Sequence, residues 1–74
     1  MNINLLSCDA ARPDRRAIAK MLEDIADGVD NSLAREMTDI LIDGSPVEIE
    51  VSGKATNSAF RALRKLNIDY ELME

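Results

Sequence analysis

Two periodicities divide this chain. Ile18, Met21, Leu22 and Ile25 recur at i, i+3, i+4 and i+7, the spacing that gathers apolar side chains into one stripe of an α-helix. Val47, Ile49 and Val51 instead alternate with Glu48, Glu50 and Ser52, the period of a half-buried strand. Ala59, Ala62, Leu63 and Leu66 return to helical spacing, and Ile68, Tyr70 and Leu72 alternate with Asp69, Glu71 and Met73 as another strand. From Pro46 to Leu72 these elements follow with almost no spare residues, Ser52 starting the helix and Asn67 closing it.

The first half completes the architecture. Ile3 to Ser7 reads as a short apolar strand, and Pro13 suits the first turn of a helix, where its missing N–H costs nothing. Arg15, Arg16, Lys20, Glu23 and Asp24 occupy the helix surface outside the stripe, and Gly28 ends it. Asp30, Asn31 or Ser32 caps a second helix with the stripe Leu33, Met37, Ile40 and Leu41, which Gly44 and Pro46 terminate. The order is strand, helix, helix, strand, helix, strand. It predicts a single α+β domain over residues 1–74, with three helices on one face of a three-stranded sheet.

Composition sets what such a domain can do. At 74 residues it holds one small core, and with 3% aromatic residues that core is aliphatic. The net charge of −5 argues against nonspecific binding to nucleic acid or anionic lipid, both of which need a basic surface, and favours a protein partner. Cys8 is the only cysteine, so no intrachain disulfide forms and a reducing compartment is expected. The start Met1-Asn2-Ile3-Asn4 lacks the basic and apolar runs of a signal peptide or membrane span; a cytoplasmic protein, monomeric or weakly dimeric, is the expectation.

Catalytic chemistry finds little to work with. A thiol at Cys8 needs a base, and the chain has no histidine; the same lack leaves only carboxylates for a metal. Asp24, Asp27, Asp30 and Asn31 cluster around Gly28 without the order of a calcium loop, and helix capping accounts for them. Glu48 and Glu50 share the outer face of a strand, where they favour solubility over acid–base work and, on an exposed edge, discourage strand addition. Gly53-Lys54 lacks the spacing of a phosphate loop. A non-enzyme without cofactor or metal is expected. Phe60 flanks its helix stripe and belongs at the core edge. The basic residues form two groups, Arg12, Arg15, Arg16 and Lys20 near the first helix and Arg61, Arg64 and Lys65 on the last, whose proximity the sequence leaves open.

With that order in place, the chain resembles the C-terminal domain of the bacterial ribosomal stalk protein, large-subunit protein L-seven/L-twelve. Ile3-Asn4-Leu5-Leu6 falls on that family's first strand, Ile18 and Met21 on apolar positions of its first helix, and Gly28 on its interhelical turn. Val51-Ser52 matches a valine and a helix-capping serine, and Ala62 to Leu72 resembles the closing helix end, turn and strand; Val29 to Ser32 reads as an insertion. The family's N-terminal dimerisation segment and hinge have no counterpart, which implies a free-standing domain. In that family the helix hairpin docks on translational GTPases, but matching basic positions read Asp14, Ala19 and Leu22 here, with Arg15, Arg16 and Lys20 nearby and Arg35-Glu36 resembling the start of the second helix.

The resemblance therefore implies a small interaction domain that docks through its helix hairpin, with Arg15, Arg16, Ala19, Lys20, Arg35 and Glu36 as the contact residues. The expected partner is a translation factor or another host protein, bound as a stalk competitor or a phage-type inhibitor. A ClpS-type protease adaptor, which binds a peptide or chaperone, is the alternative, although the histidine of that family's peptide site is missing.

Overall fold

The computed structural model describes residues 1–73. Its elements are β1 (Asn2–Cys8), α1 (Arg15–Ile25), α2 (Asn31–Ile42), β2 (Val47–Glu50), α3 (Thr56–Lys65) and β3 (Ile68–Met73), with a 3-10 turn over Gly53–Ala55 ahead of α3. One antiparallel sheet in the order β2-β1-β3 forms the second layer, giving the α+β arrangement the periodicities predict. β2 and β3 run parallel to each other with β1 between them, joined by α3 as a split β-α-β unit.

Strand alternation sorts the sheet into two faces. Val47, Leu5 and Tyr70 form one cross-strand row and Ile49, Ile3 and Leu72 the next, both towards the helices. Glu48, Asn4 and Glu71 lie across the opposite face, where the Asn4 amide donates to the Glu71 carboxylate at 3.3 Å. Ile3 and Leu5 on the central strand are fully buried and meet Ile18 and Leu22 of α1, Leu41 of α2 and Leu63 of α3 in one aliphatic core. Between Leu5 and Ser7 the ladder to β3 slips by one residue, a bulge that turns Leu6 outward.

Four local expectations need correction. Pro13 precedes α1: Asp14 is the N-cap, its carboxylate accepting the Ala17 N–H at 3.1 Å, because a carboxylate serves an orphan N–H and proline cannot. Ser52 caps only the 3-10 turn and makes no side-chain cap bond; its carbonyl instead accepts the Thr56 hydroxyl at 3.2 Å, and α3 begins there. α2 buries Ala34, Met37, Thr38 and Leu41, leaving Leu33 and Ile40 about two-fifths exposed. The buried face turns Ala34 and Thr38 inward beside Met37 and Leu41, and the Thr38 hydroxyl is satisfied there by donating to the Ala34 carbonyl at 2.7 Å. Finally, Leu72 stands 54% exposed, since α3 does not reach the end of β3.

A fifth correction concerns a stop signal: Gly28 was expected to end α1, but the helix stops at Ile25 with Ala26 as its cap and Gly28 lies in the turn beyond, whereas Gly44 follows the last residues of α2 as expected. Asp30 caps α2, its carboxylate accepting the Leu33 N–H at 2.8 Å. Asn67 closes α3 at φ 57°, a left-handed conformation that asparagine tolerates better than other residues with a Cβ. Phe60 is half-buried and stacks on Tyr70 with ring centroids 5.3 Å apart, joining α3 to β3 at the core edge.

Candidate functional site

The helical layer carries most of the residues expected to meet a partner, but the fold divides them. α1 buries Ile18, Ala19, Met21, Leu22 and Ile25, so Arg15, Arg16, Lys20, Glu23 and Asp24 are left to the surface. Ala19 is only 7% exposed and packs inside the core; it cannot touch a partner, and its place among the expected contacts is corrected. The reason is its position one residue after Ile18, on the side of α1 that turns towards the rest of the layer.

Along the α1–α2 seam, the Arg15 guanidinium pairs with the Asp39 carboxylate, and the Asn31 amide donates to Glu23 at 3.3 Å. Both members of the Arg15–Asp39 pair are about two-thirds exposed, so the pair contributes at most about 1 kcal/mol. Its larger effect is on the surface, because Arg15 is already engaged. Arg35 and Glu36 are exposed on α2, yet successive residues on a helix point about 100° apart, so they flank different sides of it. The six expected contact residues thus do not form one patch.

Lys20 turns the other way, towards α3. A shallow groove of about 400 Å³ runs between α1 and α3, floored by Met21, Ile25, Ala62 and Leu66 and bordered by Lys20 and Lys65. Here one lysine from each of the two basic groups of the sequence meets the other. Asp24 also lines the groove, but among the described residues neither lysine has a carboxylate within 4.0 Å. Each lysine lies beside an apolar stripe in the sequence; what the sequence did not give is that α1 and α3 are neighbours.

Other candidates resolve into structural roles. Cys8 is half-buried and its thiol donates to the Leu66 carbonyl at 3.6 Å, tying the end of β1 to the end of α3. Pairing of β1 with β3 sets Asp9 beside Asp69 in a hollow also lined by Arg64 and Tyr70. Hydrogen bonding with Asp9, then its like charge, raises the Asp69 pKa. The register that makes this pair depends on the bulge at Leu6, which nothing in the sequence marks. Among the described residues no group of three potential ligands is arranged for a metal ion, and no helix is long and apolar enough to cross a membrane. No family model matches the chain, and neither the curated proteins nor the solved structures contain a significant match to it.

Proposed function

We propose that this chain is a non-catalytic protein-interaction domain that docks through its helical layer, with the α1–α3 groove and Arg16 at the centre of the contact. The observation that carries this reading is the pairing of Lys20 and Lys65, both without an ion-pair partner among the described residues, around an apolar floor on a chain of net charge −5. An acidic amphipathic segment suits such a groove: its apolar side chains cover Met21 and Leu66, and its carboxylates meet the lysines. Arg35 and Glu36 on α2 do not line this groove, whereas the hairpin resemblance placed them within the contact.

The resemblance to the stalk-protein domain makes a cytoplasmic translation factor the first partner to test, with the chain acting as a stalk competitor or a phage-type inhibitor. Capture of purified translational GTPases by immobilised wild-type chain is expected, with at least tenfold loss for the Lys20→Glu/Lys65→Glu double variant at unchanged melting temperature. Equal capture by both forms removes the groove as the docking site. If no translational GTPase is captured, the translation reading fails.

A further inference from the structure

A second groove lies at the opposite edge of the molecule, between α2 and β2. Its floor is apolar, built from Val29, Leu33, Met37 and Val47, and every charged residue lining it is acidic: Asp27, Glu48 and Glu50. Leu33 and Ile40 account for much of the exposed apolar surface on this side. They sit seven residues apart on α2, two turns along one flank, exposed by 40% and 45%. The helix therefore flanks the sheet edge with large aliphatic side chains that the described residues leave about two-fifths exposed.

The strand beneath is open in a way the ladder defines. Met1 and Val51 exchange both backbone bonds, the Val51 N–H donating at 2.8 Å and the terminal amine of Met1 donating back at 3.0 Å. Antiparallel pairs alternate, so Ile49 and Val47 also face β1, while Glu48 and Glu50 direct their backbone groups away from the sheet. The Glu50 carbonyl is taken by the Asp27 N–H at 2.7 Å. That leaves the N–H and C=O of Glu48 and the N–H of Glu50 without a protein partner among the described residues. An unpaired edge beside exposed apolar side chains is the geometry for adding a strand.

We propose that this groove binds an extended segment of a partner protein in which apolar and basic residues alternate, added to the sheet beside β2. Strand alternation gives the added segment two rows of side chains. One row points to the helix side, onto Leu33, Met37 and Val47; the other lies on the open sheet face next to Glu48 and Glu50. The first row must be apolar, and the second is selected for positive charge because no basic residue lines the groove. A second copy of this chain offers a poorer fit, since its own strands carry acidic residues at alternate positions, Glu48 and Glu50 on β2 and Asp69 and Glu71 on β3. This site is separate from the α1–α3 groove and stands whether or not that groove has a partner.

The probe is the peptide acetyl-Lys-Val-Lys-Val-Lys-amide, titrated into the labelled chain and followed by amide NMR. Expected are shifts and exchange protection at the Glu48 and Glu50 amides, at least tenfold weaker binding of the Glu-Val-Glu-Val-Glu counterpart, and reversal of that preference in Glu48→Lys/Glu50→Lys. Glu48→Pro removes an outward N–H without touching a bond to β1, and should abolish binding. A lysine peptide methylated on alternate amides should fail as well, which tests strand addition with the protein unaltered. Binding that survives both proline substitution and methylation overturns the proposal, as do shifts confined to the α1–α3 groove. A concentration-dependent dimer in sedimentation that Glu48→Pro dissolves would assign the groove to a second copy of the chain and overturn the assignment to a basic partner.

Discussion

Asp69 illustrates how one contact sets a pH response. Its carboxyl pKa is raised from its ordinary value by hydrogen bonding with Asp9 and then by the like charge of that neighbour. The unfolded chain lacks this pairing, so as pH rises the folded form retains its proton longer. Stability from this site is complete below the ordinary carboxylate pKa and is lost as pH climbs through the raised one. Asp69→Asn is expected to raise the melting temperature at neutral pH and to make no difference in strong acid; thermal melts at the two pH values that showed the reverse order would disprove the pairing. Leu63, fully buried on α3, lies at the other extreme. Leu63→Ala should cost about 2–5 kcal/mol, much of the whole stability of a domain this small, and urea titration would read it directly.

The helices differ in how their ends are held. Asp14 and Asp30 each accept a backbone N–H at the start of α1 and α2, whereas α3 begins at Thr56 behind a cap with no side-chain bond. Alanine at Asp14 or Asp30 should therefore cost about 0.5–2 kcal/mol each by chemical denaturation, while Ser52→Ala should fall within about 0.5 kcal/mol of wild type. Element types and their order were legible because each stripe or alternation is local to a few turns. The rotation of α2 was not. Leu33 and Ile40 outrank Ala34 and Thr38 on hydrophobicity, and only the packing of α2 against α1 and the sheet reverses that choice. The same limit applies to the candidate site: Lys20 and Lys65 were visible as charges, but their convergence depends on α1 packing beside α3, a contact between residues 45 apart that no local pattern encodes.

At the scale of the whole molecule, only acidic charges stand on the open sheet face, whereas the helical layer mixes its basic residues with Glu23, Asp24, Glu36 and Asp39. The open sheet face presents Glu48, Glu50, Asp69 and Glu71, while Arg16, Lys20 and Lys65 lie on the helical layer. Attraction between that layer and an acidic partner should weaken several-fold as salt shortens the range of the field to a few ångströms; capture insensitive to ionic strength would point to apolar contact alone. The placement of β1 has a consequence for how the molecule comes into being. The central strand is the first part of the domain to be synthesised, yet Val51, its partner at one end, lies 50 residues downstream, and Met73 pairs back to Asn2 from the far end of the fold. On the ribosome β1 must therefore wait as an unpaired apolar segment until β2 has emerged, and its other edge stays open until β3 follows. The sheet is therefore completed last, when the final strand pairs along the second edge of β1.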